Sequence, residues 1–178
     1  MVIIGIDPGS RITGYGLIRV QGNQSFHITS GCIRVTADNV SMRLLQIFTA
    51  LQQIIQTYQP MEAAIEQIFM HQNPGAALKL GQARGAAMVA LAMPVNEYSA
   101  RQVKQSVVGY GAAKKEQVQH MVQRLLNLTE KLQADTADAL AVALCHAHSR
   151  KNLLNEMQNS SKSKKKRITW REYVPEKA

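Results

Sequence analysis

Short apolar runs separated by turn residues fill the first 35 positions of the chain, a pattern typical of β-strands joined by hairpins. The run VIIGID, at residues 2–7, is continuous enough to form a fully buried strand. GYGLIRV and SFHITSGCIRV follow after the short links PGSRIT and QGNQ, and links of that length favour antiparallel pairing. We therefore predict three consecutive antiparallel strands.

After residue 38 the apolar positions change to helical spacing. Three- and four-residue steps separate the apolar residues Leu44, Phe48, Leu51, Ile55 and Tyr58. This spacing predicts an amphipathic helix over about residues 39–58, which Pro60 ends. MEAAIEQ, which ends near Glu66, and VNEYS, which follows Pro94, predict two further strands. Four more helices are expected at about residues 76–92, 99–108, 114–126 and 135–148.

This order predicts a mixed α/β domain. Its five-stranded sheet is antiparallel at one side and parallel at the other, with helices on both faces. We expect the domain to span residues 1–150, and residues 151–178, which include SSKSKKKR, to form a basic, flexible tail. The helix at 76–92 is nearly apolar and carries Gly81 and Gly85, so it either packs on the sheet or meets a second copy of the chain.

Four acidic residues lie at the predicted ends of these elements. Asp7 ends the first strand, Glu66 ends the fourth, and Asp135 and Asp138 open the last helix on one face. Each has an ordinary explanation, because Asp7 suits a turn, Glu66 a solvated strand end, Asp135 an N-cap and Asp138 a capping box. Their joint occurrence favours a second hypothesis, in which all four meet in one place.

Four neighbouring carboxylates need protons or cations, since like charges raise one another's pKa. Oxygen ligands of this kind suit Mg²⁺ or Mn²⁺, and two such ions about 3.5–4 Å apart are a known device for phosphodiester cleavage. His146 and His148 are two residues apart and make a poor metal pair on a helix. The sequence contains no G-x-x-x-x-G-K-[ST] phosphate loop.

Charge and cysteine content indicate which class of binding partner and which compartment to expect. The net charge is +9, and the segment from Arg150 to Ala178 alone carries nine Lys/Arg against three Glu, which favours a polyanionic partner such as nucleic acid. Two widely spaced cysteines, Cys32 and Cys145, argue against a disulfide scaffold and suit the cytoplasm. No apolar run reaches the ~20 residues of a membrane span, and a signal-peptide pattern is not expected from MVIIGID.

Five segments, in order, resemble the RuvC Holliday-junction resolvases of bacteria: GIDPGSRITGYG, AIEQIF, ALKLGQARG, ARQVKQSVVGYGAAKKEQVQHMV and ADTADALAVAL. The resemblance covers about residues 1–150. It implies a ribonuclease-H-like fold and a homodimeric, Mg²⁺-dependent endonuclease that cuts four-way DNA junctions. It also implies two metal ions per site and cooperation with the RuvA–RuvB branch-migration complex.

The same resemblance assigns roles to individual residues. The family's acidic residues fall on Asp7, Glu66, Asp135 and Asp138, and its third position is a His in some relatives. Its functional lysines fall on Lys104 and Lys115, with Lys114 as the adjacent alternative to the second. A junction-engaging aromatic residue falls on Phe69, and Arg11 and Arg84 are further candidates for phosphate contact.

Two other functions stay open at this stage. IGIDPGS followed by TGYGL also resembles the first phosphate loop of actin-like ATPases and sugar kinases, although those proteins are about twice this length. A non-catalytic DNA-binding module, with the acids serving only as caps, is the other alternative. Mg²⁺-dependent cutting of a four-way junction without ATP separates the nuclease from both.

Overall fold

A computed structural model describes residues 1–68, 73–130 and 132–163, with side chains placed as far as Arg150. The three N-terminal strands form as predicted: β1 is Val2–Asp7, β2 is Ile12–Gln21 and β3 is Gln24–Arg34. Two shorter strands follow, β4 at Glu62–Glu66 and β5 at Val95–Tyr98. The helices are α1 at Val40–Tyr58, α2 at Pro74–Leu91, α3 at Ala100–Val108, α4 at Lys115–Leu125 and α5 at Ala134–Ser163.

The five strands form one mixed sheet in the order β3-β2-β1-β4-β5. β1 pairs antiparallel with β2, and β2 pairs antiparallel with β3. On its other side β1 pairs parallel with β4, and β4 pairs parallel with β5. The predicted fold class is therefore confirmed, and the parallel pairing brings the carboxyl ends of β1 and β4 to the same edge of the sheet.

Each face of the sheet is covered by helices, as the sequence predicted. Helices α1 and α2 pack on one face, against alternate residues such as Ile4, Ile6 and Leu17. Helices α3, α4 and α5 cover the other face, on which Ile3, Ile18 and Ala64 lie. Because side chains alternate along β1, Asp7 belongs to the same face as Ile3 and points toward α5.

Glycines bring α5 unusually close to the sheet. A methyl group built on Gly5, Gly14 or Gly16 would overlap atoms of Ala139, Asp135 or Leu140, respectively. All three glycines lie in β1 and β2, so a side chain at any of them would push the helix off the sheet. The short TGYG run of β2 is thus a packing feature that fixes where α5 begins.

Two helix boundaries differ from those predicted. α2 begins at Pro74, since proline suits the first helical position and the Asn73 side chain accepts a hydrogen bond from the Ala76 amide at 3.1 Å. α5 does not end near His148 but continues to Ser163, because no proline or glycine interrupts residues 149–163. The tail was predicted at residues 151–178; its first part, 151–163, continues α5, and its second part, 164–178, lies outside the described residues. The domain boundary at residue 150 stays a prediction.

None of the helices in the described ranges combines the length and the apolar character that a bilayer-crossing helix needs.

Candidate active site

Asp7 is the last residue of β1, and a closed turn follows it. The hydroxyl of buried Thr13 donates to the Gly9 carbonyl at 2.9 Å and accepts from the Gly9 amide at 3.3 Å. This pair of bonds closes the turn that Pro8 and Gly9 begin. The carboxyl group is therefore held at the sheet edge by turn chemistry, so the turn and the functional hypotheses for Asp7 are compatible.

Glu66 ends β4 beside Asp7. The parallel ladder pairs Ile6 with Ile65, so the next residues along the two strands are Asp7 and Glu66. Both side chains lie on the face that α5 covers. The expectation that these two carboxylates are spatial neighbours follows directly from the strand pairing.

Asp135 and Asp138 lie in the first turns of α5, over the same sheet edge. α5 begins at Ala134, and the Gln133 carbonyl accepts the first helical bond from the Ala137 amide at 2.9 Å. Asp135 is thus inside the helix, and its interpretation as the N-cap is wrong. Gly14, the register partner of Asp7, lies directly under the Asp135 backbone, which places the start of α5 beside β1.

Electrostatics links Asp7 to the other three carboxyl groups. Burial raises the pKa of Asp7 from 3.8 to about 7, with further increases from the charges of Glu66, Asp138 and Asp135. Burial also raises the pKa of Glu66, and the charge of Asp138 adds to the rise. The sequence hypothesis that these four residues converge is therefore the one that the structure supports.

Two lysines supply the positive charge of the site. Lys115, at the start of α4, forms an ion pair with Asp138, with Nζ and Oδ2 2.6 Å apart. Burial alone would lower the pKa of Lys115, but the bond to Asp138 and the charges of Asp138, Asp7 and Asp135 raise it above its ordinary value. Lys104 on α3 is close enough that its charge, like that of Lys115, lowers the pKa of Glu66.

Two adjoining clefts expose these groups. One, of about 150 Å³, is lined by Glu66, Lys104, Lys115 and Asp138. The other, of about 220 Å³, is lined by Asp7, Glu66 and the residues that follow β4. A larger cavity of about 680 Å³ lies on the opposite face of α3, but it contains no carboxylate, so we place the candidate chemistry at the two smaller clefts.

The donor set fits a hard divalent cation. All four acidic ligands offer oxygen only, and the raised pKa of Asp7 marks a negative charge that a cation would stabilise. In the present side-chain positions, no group of three Asp, Glu, His or Cys residues in the described chain is arranged to bind a metal ion. Asp138 is instead held by the Lys115 ammonium, so metal binding would rearrange this ion pair.

The remaining predicted contacts lie around the clefts or beyond them. Lys114 caps α4 and is exposed, so of the two adjacent lysines it is Lys115 that lines the site. Arg11 is exposed in the turn after β1. Arg84 pairs with Glu97 at 2.6 Å, which engages its guanidinium on β5. Phe69 lies outside the described residues.

A second polar cluster, which the sequence gave no reason to expect, lies at the other end of β4. Buried His146 contacts the Tyr98 hydroxyl through Nδ1 and the Glu62 carboxylate through Nε2, each at 2.8 Å. Glu62 also accepts from Arg150 at 2.9 Å. His148 contacts Ser106 instead, so the two histidines belong to separate hydrogen-bond networks. The cluster joins α5 to the sheet through Glu62, which lies at the opposite end of β4 from Glu66.

Comparisons with known proteins point to one family. Residues 3–146 match the family model described as crossover junction endodeoxyribonuclease RuvC. The curated RuvC proteins of Francisella philomiragia and Francisella tularensis subsp. novicida are 56% and 58% identical over 171 residues, or 94% of this chain and 99% of each relative.

Solved structures agree with this match. Thermus thermophilus RuvC is 33% identical, with a TM-score of 0.77 over 85% of this chain and 96% of that chain. The same protein in complex with Holliday junction substrate gives a TM-score of 0.79 at 33% identity, over 84% of this chain and 94% of that chain. The matched region includes all four acidic residues, both lysines and the sheet that positions them. The chain belongs to the RuvC family of crossover junction endodeoxyribonucleases.

Proposed function

We propose that this chain resolves four-way DNA junctions by paired nicks, as a homodimer with two Mg²⁺ ions in each active site. The convergence of Asp7, Glu66, Asp135 and Asp138 at one sheet edge is the observation that carries the proposal. Neither an actin-like ATPase core nor a non-catalytic module explains why four carboxylates, two of them with raised pKa, meet beside two lysines. Family membership and the junction-bound Thermus relative support the substrate.

The acidic residues would hold the ions. Asp7 is central, because the charges of the other three carboxylates all act on it. Glu66 lines both clefts, so its carboxylate could bind a metal ion in either of them. When bound, such ions activate a water molecule and stabilise the leaving oxygen in phosphodiester cleavage.

The lysines act on the phosphate. Lys104 and Lys115 line the same cleft as Glu66 and Asp138, and the side chain of Lys115 is half exposed, so it can reach a ligand. A positive charge held at that position stabilises the negative charge that develops on the cleaved phosphate. In the free protein Lys115 instead compensates the carboxylates and keeps Asp138 in place.

A second copy fits on α2. Leu78, Gly81, Gly85 and Val89 follow one another at three- and four-residue steps, and all are exposed. Methyl groups built on both glycines meet nothing within 4 Å, so a neighbouring helix can approach closely there. The opposite side of α2, with Ala83 and Ala87, is already buried on the sheet. A junction has approximate two-fold symmetry, and a two-fold dimer would present two equal sites to it.

The net charge and the family resemblance indicate two further partners, the DNA backbone and a protein complex. The net charge of +9 favours binding to the DNA backbone, with an affinity that falls as salt rises. The RuvA–RuvB branch-migration complex is the protein partner that the family resemblance implies.

The test is cleavage of a synthetic four-way junction with Mg²⁺ and without ATP. We expect wild type to cut, Asp7→Asn to bind the junction without cutting, and EDTA to abolish cutting. Asp38→Asn is the matched control, since Asp38 is exposed and is the chain's remaining aspartate. The proposal fails if wild type cuts no junction with Mg²⁺ or Mn²⁺, or if Asp7→Asn cuts normally.

A further inference from the structure

A polar groove of about 580 Å³ lies beside the active site and is not used by the chemistry described above. It runs between edge strand β3 and the segment that joins α4 to α5, and we call it the β3 groove. Its size is that of an ordinary ligand site. Its lining includes Cys32, Arg34, Glu130, Gln133 and Thr136.

The groove is close to the carboxylates and on the same face of the sheet. Asp7 pairs with Gly14, and Gly14 pairs with Cys32, so the three residues form one row across β1, β2 and β3. Neighbouring strands are about 4.8 Å apart, which puts Cys32 about 10 Å from Asp7. In a stacked strand, with a rise of about 3.4 Å per nucleotide, this distance corresponds to about three nucleotides.

The first turn of α5 separates the groove from the active site. Asp135 lies over Gly14, whereas Thr136 faces β3 and its hydroxyl is 3.2 Å from the Cys32 thiol. A DNA strand with its scissile phosphate at Asp7 would cross this turn to reach the groove.

The lining of the groove suits a base better than a phosphate. In the described lining, Glu130 can offset the charge of Arg34, and Leu128 and Leu132 supply apolar surface against which a base can pack. Arg34 donates to the Gln133 side-chain oxygen at 3.3 Å, which leaves the other guanidinium donors and the Gln133 amide group to face a ligand. Such a set of donors matches a base edge that is rich in acceptors, as in guanine or thymine.

We propose that the β3 groove receives a base of the junction strand within about three nucleotides of the cut, and that Arg34 and Gln133 read its carbonyl-bearing edge. The inference rests on the proposed junction cleavage and predicts that the position of the cut depends on the DNA sequence beside it. Neither residue touches the scissile phosphate, so both act on the choice of site and not on the chemical step.

The experiment compares cut-site preference on four-way junctions whose positions around the cut are randomised. Wild type, Arg34→Ala and Gln133→Ala are assayed with Mg²⁺, and the products are sequenced. We expect both variants to weaken the preference at the same flanking position by about tenfold, because one specific base contact contributes discrimination of that order. Arg19→Ala is the matched control, since Arg19 is exposed on β2 at the opposite end of the sheet and its loss removes the same charge.

Each outcome either supports or contradicts the base-reading role of the β3 groove. Unchanged preference in both groove variants, or changes at unrelated positions, would overturn the inference while leaving junction cleavage intact. Cutting by wild type without any flanking preference would do the same, whereas no cutting at all would refute the proposed function on which it rests. A second readout needs no cleavage: 5-iodouracil at the selected position, bound by Asp7→Asn, should crosslink under ultraviolet light to residues of the groove. Crosslinks found only on other surfaces would contradict the assignment.

Discussion

Replacement of Asp7 by asparagine should stabilise the metal-free protein at high pH even though it abolishes cleavage. Asp7 is largely buried among Glu66, Asp135 and Asp138, so its negative charge opposes folding. Asparagine keeps nearly the same shape and removes that charge. The catalytic carboxylate is thus expected to destabilise the fold in the absence of a cation.

The pKa of Asp7 fixes the direction and the size of the effect. Because the folded-state pKa is raised, the folded protein keeps a proton that the unfolded chain loses, and stability falls as pH rises from 3.8 to about 7. Above that window the destabilisation is complete and constant. The shift from 3.8 to about 7 corresponds to up to about 4 kcal/mol, at about 1.36 kcal/mol per pKa unit.

The assay is urea unfolding at a series of pH values from 4 to 8.5, with EDTA present. The free energy of unfolding of Asp7→Asn minus that of wild type should grow between pH 4 and 7 and then stay level. A thermal melt should show the same trend, at about 2–4 °C per kcal/mol for a chain of this size. Added Mg²⁺ should stabilise wild type by mass action and Asp7→Asn much less.

The reasoning is refuted if the variant is no more stable than wild type at pH 8.5, or if the difference between them does not depend on pH. Asp38→Asn controls for the general effect of the substitution, since Asp38 is exposed and should show no such growth.

Three further variants test other parts of the account. Lys115→Met should change stability by less than about 1 kcal/mol, because the Lys115 side chain is half exposed. It should nevertheless reduce cleavage about 100-fold and move the pH–rate profile to higher pH, since the Lys115 charge lowers the pKa of Asp7. An unmoved profile, or an equal loss in Lys114→Met, would contradict the role of Lys115. Gly14→Ala should push α5 away from β1 and reduce both activity and stability, as followed by cleavage and urea unfolding, and normal activity would show that the close approach is unimportant. Val89→Lys should leave the melting temperature of the monomer unchanged and convert dimer to monomer in analytical ultracentrifugation, and a persistent dimer would place the interface elsewhere.

Much of the fold could be predicted from local patterns. Apolar runs, helical spacing and the positions of proline together predicted each of the five strands and five helices that the described residues contain. Prediction was weakest at the helix ends, because a few capping hydrogen bonds determine where a helix begins. Asn73 and Pro74 start α2 earlier than expected, and Gln133 takes the cap position that Asp135 was expected to fill.

The acidic residues could be found from sequence because each ends or begins an element, but their convergence needed the sheet order. Parallel pairing of β1 with β4 sets Glu66 beside Asp7, and the bare backbone of Gly14 lets Asp135 come near. The Glu62–His146 cluster could not be foreseen, because its members are 84 positions apart and meet only through the packing of α5 on the sheet. The ion pair of Lys115 with Asp138 is likewise a product of tertiary structure.

Mapping both cuts on a four-way junction labelled on every strand tests the central claim most directly. The account predicts that wild type with Mg²⁺ nicks two opposed strands at symmetric positions, and that Asp7→Asn binds the same junction and leaves all four strands intact. Nicks scattered over the four strands, equal cutting of linear duplex, or cleavage by Asp7→Asn would contradict it.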